Sequence, residues 1–165
     1  MQFPAFPVQW SDHAAVLFDL DGVVTPTAEV HMLAWAQMFN DFLTAPQAPG
    51  GGDRSPYTAQ DYFDHVDGKP RFDGVRDFLA SRGISLDEGL PSDTVDAVTV
   101  HGLGNRKDTA FNEVLERDGV VAYPGSVALL DHLRDLGLPL AVVSSSRNAP
   151  AVLAAAGLSD RFETV

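Results

Sequence analysis

A short apolar run that ends in two carboxylates constrains this chain more than any other feature. Ala14 to Phe18 reads as a buried strand, and Asp19-Leu20-Asp21-Gly22 follows it directly. Side chains alternate along extended backbone, so Asp19 and Asp21 can lean to the same side of the strand's C-terminal end. Gly22 permits a sharp turn there. In open α/β sheets, ligands sit at that end of the strands. Two hard oxygen ligands at such a place suit Mg²⁺, which takes one or two carboxylates together with water and substrate phosphate. One carboxylate could attack phosphorus while the other moves the proton. The same residues also fit the Asp-Gly turn of an ordinary hairpin, so the spacing alone leaves both readings open.

Charge and composition narrow the partners. The chain has 165 residues, enough for one domain or for a core with a modest insertion. Its 23 acidic and 11 basic side chains give a formal net charge of −12. Such a surface repels nucleic acid and anionic lipid, so neither is an expected partner. An anionic phosphate would be repelled as well, and would need a cation and a few local basic groups. There is no Cys. That excludes a thiol nucleophile, a disulfide framework and cysteine–zinc sites, and fits a reducing, cytoplasmic setting. The first dozen residues carry no Lys or Arg and include Pro4 and Pro7, unlike a signal peptide. No apolar run approaches a membrane span, so no membrane association is expected.

The pattern downstream predicts an α/β fold. Residues 1–13 read as an irregular lead-in and 14–20 as strand one. The apolar positions Val30, Leu33, Ala34, Phe39 and Leu43 predict a helix from Ala28 to about Leu43. Ala45 to Asp53 is a Pro- and Gly-rich loop. Helical patterns return at about 58–66, 71–82, 92–101 and 105–118, and Arg106-Lys107 reads as helix surface. Ser126 is a candidate N-cap for a helix over 127–136. Leu138 to Val143 reads as a second buried strand, Ala149 to Ala156 as a helix ended by Gly157, and Phe162 to Val165 as the start of a third strand. The last part is a β–α–β crossover, which favours a parallel sheet. The helical block between is too long for one crossover and reads as an insertion. The expected division is an incomplete Rossmann-like core of residues 1–27 and 123–165 with a helical cap over 28–122.

The string Val16-Leu17-Phe18-Asp19-Leu20-Asp21-Gly22-Val23-Val24-Thr25-Pro26-Thr27 resembles the signature of the haloacid dehalogenase superfamily of phosphotransferases. The cap position resembles the branch that contains the β-phosphoglucomutases. The resemblance implies a Mg²⁺-dependent enzyme acting on a small phosphorylated sugar. It makes Asp19 the nucleophile that becomes an aspartyl phosphate, Asp21 the general acid/base, and both carboxylates metal ligands. It carries Ser144, at the end of strand two, over as the phosphate-binding hydroxyl, with Ser145, Ser146, Arg147 and Asn148 beside it. On the residues alone, Ser146 or Asn148 could simply cap a helix. Arg147 stands where the mutases have Lys, which keeps the charge and changes the geometry. Thr27 matches a hinge residue, and His31 a residue that couples proton transfer to cap closure; an exposed helix histidine is the plainer alternative. Trp35 fits cap packing or substrate contact. Gly68, Lys69 and Arg71 resemble a substrate-gripping cap loop, with Arg71 offering a fork to a second phosphate. Asp67 stands where the mutases have Lys, and a solvated basic turn fits the same residues.

The resemblance does not complete the family pattern. Its third motif, a Lys, and its fourth, one or two acids at a later strand, have no counterpart that can be assigned before Val165. Two expectations follow: an enzyme whose core is completed by a missing C-terminal segment or a second chain, or, from another class, a catalytically inactive binding or assembly module. Mutase and phosphatase activity are not distinguished by any residue here.

Overall fold

The computed structural model describes residues 8–46 and 51–165. The expected lead-in and the Ala45–Asp53 loop therefore lie partly outside the described residues. After a single 3-10 turn at Trp10–Asp12, β1 spans Val16–Phe18. Next come the helices α1 (Thr27–Thr44), α2 (Ala59–Asp61, continued by a π turn at Tyr62–Val66), α3 (Arg71–Ser81), α4 (Val100–Asp118) and α5 (Pro124–Asp135). The strand β2 (Leu140–Val142) and the helix α6 (Ala149–Ala155) follow.

β1 and β2 pair in parallel, with Val16 opposite Leu140 and Phe18 opposite Val142. The expected third strand is present as a single parallel bridge from Ala141 to Thr164, held by Val142 N–H donating to Thr164 O at 2.9 Å. The two long helices α1 and α4 pack along each other and connect two apolar clusters. One cluster surrounds the sheet and includes Phe18, Leu20, Phe111, Leu130, Leu133, Val142 and Leu153. The other is aromatic and includes Trp35, Phe39, Tyr57, Tyr62, Phe78 and Leu103. The seam between them runs through α1 and α4, since Ala34 and Phe111 belong to the first while Phe39 and Leu103 belong to the second.

Two expected helices differ. The stretch from 92 to 99 is turn, and one helix runs from Val100 to Asp118. Thr99 starts it by accepting Gly102 N–H at 2.9 Å, a side-chain cap that satisfies an otherwise orphaned donor. Gly102 and Gly104, which looked like breaks, lie inside the helix, and close packing accounts for glycine there: a Cβ on Gly104 would come within 2.6 Å of Phe72. Ser126 does not cap α5. The helix begins two residues earlier at Pro124, a residue suited to the first helical position, and Ser126 Oγ instead donates to Val23 O at 2.6 Å. That bond ties α5 to the turn that follows β1.

Candidate active site

β1 ends at Phe18, and the chain then folds back on itself. Gly22 adopts φ +78°, and its N–H donates to Thr25 O at 2.7 Å. This turn points Asp19 and Asp21 into a cleft of about 220 Å³. One wall is the Ser144–Asn148 segment after β2, the facing wall is Asp67–Phe72, and α1 and α4 supply His31, Trp35, Lys107 and Asp108. All the residues singled out from the sequence line this cleft except Thr27, which acts from behind. Thr27 is fully buried, donates its hydroxyl to Asp21 Oδ1 and sits 2.8 Å from the Thr25 hydroxyl.

The two carboxylates have different surroundings. Asp19 is exposed, and its Oδ1 accepts Leu20 N–H at 2.7 Å. Asp21 is half-buried, and burial pushes its carboxyl above the usual carboxylate range; the Thr27 hydrogen bond opposes that push and the nearby Asp19 charge adds to it. A raised carboxyl holds a proton more readily, which suits a group that must donate one.

Ser144 lies in the same cleft as Asp19, and its Oγ accepts Ser146 N–H at 3.1 Å. With the oxygen occupied as acceptor, the hydroxyl proton remains to donate into the cleft. Asn148 occupies the N-cap position of α6 without a side-chain cap bond; its Nδ2 donates to Asp108 Oδ1 at 2.8 Å. The helix-capping alternative therefore does not account for Asn148. Ser145 and Arg147 are exposed at the rim.

On the facing wall Gly68 turns at φ +67°. Lys69 pairs with Asp77 at 2.6 Å. Arg71 pairs with Asp108 at 2.6 Å, and its guanidinium lies 4.8 Å from the Phe72 ring centre. Its Nε is buried without a hydrogen-bond partner. Trp35 is 4% exposed and stacks on Phe39, so most of its ring is packing and only its margin reaches the cleft.

His31 is buried, not an exposed helix residue. It stacks on Phe111 with ring centres 4.1 Å apart, and its Nε2 stands 3.6 Å from Asp21 Oδ1. Its Nδ1 is 2.6 Å from Lys107 Nζ. Burial, and then the Lys107 charge, lower the His31 pKa to about 3, so the ring is neutral. A lysine ammonium only donates, so Nδ1 must accept and Nε2 carries the proton facing Asp21.

Lys107 overturns the expectation of a surface residue: it is 4% exposed. It lies 5.0 and 5.3 Å from the ring centres of Phe111 and Trp35, and burial lowers its pKa to about 8. The helical face Val100, Leu103, Lys107, Phe111 and Leu115 is buried throughout, and that periodicity was the signal for it. Asp108 is the other residue the sequence reading missed. The cleft lining holds four basic side chains, Lys69, Arg71, Lys107 and Arg147, against four acidic ones, Asp19, Asp21, Asp67 and Asp108. The strong negative charge of the whole chain is therefore not reproduced locally.

A family model of haloacid dehalogenase-like hydrolases matches residues 13–165. The chain belongs to that family. It is 48% identical over 149 residues to a β-phosphoglucomutase of Mycobacterium bovis, covering 90% of this chain and 56% of that protein. It is 39% identical over 150 residues to an uncharacterized glycosyl hydrolase of Mycobacterium tuberculosis, covering 91% of this chain and 11% of that one. Among solved structures, a β-phosphoglucomutase of Clostridium difficile superposes with a TM-score of 0.69 at 22% identity, over 92% of this chain and 60% of that one. This fold likeness agrees with the α/β architecture and parallel pairing described above. The chain spans little more than half the length of the β-phosphoglucomutase relative from Mycobacterium bovis. Among the described residues, no helix is long and apolar enough to cross a membrane.

Proposed function

We propose that this chain carries the phosphoryl-transfer site of a Mg²⁺-dependent phosphotransferase that acts on a small phosphorylated sugar through an aspartyl phosphate. The observation that supports it is the meeting, in one cleft, of Asp19, Asp21 and Ser144 with the Asn148 donor beside Ser144 and the Arg71 donor on the facing wall. The relatives named β-phosphoglucomutase motivate the sugar.

Asp19 attacks phosphorus. Its exposed carboxylate, held at one oxygen by Leu20 N–H, keeps the other oxygen for that role. Ser144 donates to a phosphate oxygen and Arg147 adds positive charge at the rim. Asp21, with its raised pKa, protonates the leaving oxygen and then takes a proton from the acceptor. The Thr27 hydroxyl holds the Asp21 carboxylate in place, and the protonated His31 Nε2 faces it from 3.6 Å. Residues 28–122 act as the cap, with Gly68, Lys69 and Arg71 gripping the far end of the ligand and Trp35 walling it off. Residues 1–27 and 123–165 carry the phosphoryl chemistry.

The donor set fits Mg²⁺. Asp19 and Asp21 supply hard carboxylate oxygens to one cleft. That matches a cation held by two carboxylates and completed by water and phosphate. When bound there, it would neutralise charge on the phosphoryl group.

The test is covalent labelling. The chain is incubated with magnesium and a sugar bisphosphate, and the phosphorylated residue is mapped by mass spectrometry. Label on Asp19, absent in Asp19→Asn, is the expected result. Label elsewhere would refute the nucleophile; no label on this chain and none on a version extended to the length of the β-phosphoglucomutase relative would favour the binding-module reading, since this chain alone is expected to be weak or inactive.

A further inference from the structure

The two donors that face each other across the cleft are already bridged by a side chain of this protein. Asp108 Oδ1 receives Arg71 Nη1 at 2.6 Å and Asn148 Nδ2 at 2.8 Å. One carboxylate oxygen thus joins the Asp67–Phe72 wall to the Ser144–Asn148 wall. Arg71 is not saturated by this contact. Its Nη2 makes only a long bond of 3.4 Å to Asn105 Oδ1, and its Nε is buried with no partner. Leaving a buried guanidinium donor unmet is unfavourable, and a ligand with more acceptor atoms would relieve it.

We propose that Asp108 is a specificity-determining residue, an internal anion that a ligand must displace from Arg71 and Asn148, so that only a phosphoryl group takes that seat. The inference rests on the reading of Arg71 as the grip on the far end of the ligand, and adds Asn148 to it because both donors meet the same Asp108 oxygen. The selection follows from charge and tethering. A ligand carboxylate has the same charge as Asp108 and fewer contacts to gain, while Asp108 is held in place by its own helix at high effective concentration. A neutral hydroxyl is weaker still. A phosphate monoester carries about 1.5 to 2 negative charges at neutral pH and three acceptor oxygens, enough to satisfy Nη1, Nε and Asn148 together. Asp108 has somewhere to go: its side chain is 30% exposed.

The balanced charge of the cleft supports the same conclusion. With four acids and four bases in the lining, no surplus of positive charge attracts anions indiscriminately. The Lys69 ammonium is engaged by Asp77, and Arg71 by Asp108, so each of these cations is presented to a ligand only in exchange for a carboxylate.

The test titrates the chain with inorganic phosphate and, separately, with acetate. It follows the Asn148 side-chain amide by NMR, assigned through its loss in Asn148→Ala. In the parent chain, phosphate is expected to shift the resonance and acetate to leave it. Asp108→Asn should tighten phosphate by about tenfold, the scale of removing a like charge from contact range, and should let acetate bind as well. Asp108→Ala, which removes the carboxylate without an amide in its place, should do the same. Weaker phosphate binding in both variants would overturn the proposal and make Asp108 a positioning residue for Arg71. An unchanged preference for phosphate over acetate would overturn it too. A chain that labels at Asp19 yet shows no phosphate shift at Asn148 loses this inference and keeps the phosphotransfer reading; a chain that discriminates at Asn148 without labelling, alone or extended, does the reverse.

Discussion

Lys107 holds its ammonium inside the protein, against the His31 ring and beside Trp35 and Phe111. Burial is the first cause of its lowered pKa, and the Arg71 charge works in the same direction, against Asp108 and Asp21. The folded pKa of about 8 lies below the ordinary lysine value of 10.5, so between those values the unfolded chain binds more protons than the folded one. Stability contributed by this residue therefore rises with pH through that window and is constant below it. Lys107→Met should remove the effect: the parent gains on the variant by at most about 3 kcal/mol between pH 8 and pH 10.5, read by urea denaturation at each pH. A gap that stays constant across that range would mean the ammonium is solvated. The same substitution should lift the His31 pKa from about 3, yet not to 6.5, because burial is the larger cause and remains. An NMR titration of the His31 ring checks it. Residue type did not reveal Lys107, since lysines are seldom buried and a basic pair normally marks a solvated face. The carboxylate pair was legible because its spacing is local, whereas the Lys107 partners lie far away in sequence, at His31 and Trp35.

At the scale of elements, hydrophobic period was sufficient wherever one helix buries one face. Thr27–Thr44, Arg71–Ser81 and Ala149–Ala155 fall within a residue or so of the ranges expected from the sequence. It failed where glycine has a packing role instead of a turning one. Positions 102 and 104 inside α4 are glycine because Ala97 and Phe72 press on the helix there. Alanine is the better helix former by about 1 kcal/mol, so propensity alone would make Gly104→Ala stabilising. Contact should win: the new methyl would meet Phe72 at 2.6 Å, and overpacking of that kind costs about 1–3 kcal/mol. Gly102→Ala should cost more than Gly104→Ala, because its Cβ runs into the Ala97 backbone, which cannot rotate away as a ring can. Denaturant midpoints of the two variants decide the order, and equal or increased stability would show that the 97–104 segment relaxes freely. The N-cap at Thr99 and the Ser126 bond to Val23 were likewise invisible to local pattern, since one depends on where a turn ends and the other on a contact across the fold.

Over the whole molecule, the sheet is small for the helices around it. β1 pairs with β2, β2 bridges to Thr164, and no further strand joins β1 among the described residues. The register places Leu17 opposite Ala141, and Val143 lies two residues on, so Leu17 and Val143 share one face. Leu17 is 67% exposed and Val143 61%, whereas Phe18 and Val142 on the other face are buried. Parallel sheets are ordinarily covered on both faces, and an open apolar face or edge is a template for association. The chain's net negative charge opposes that association by mutual repulsion, but salt screens it within about 10 Å at 0.1 M. The purified chain should therefore bind a hydrophobic fluorescent dye and self-associate with rising concentration, more strongly as salt is added. Leu17→Lys should reduce both effects, with little loss of stability because the side chain contributes little burial. Sedimentation velocity at two salt concentrations measures the association. A monomer at every concentration and salt level, with no dye signal, would show that this face is covered in solution.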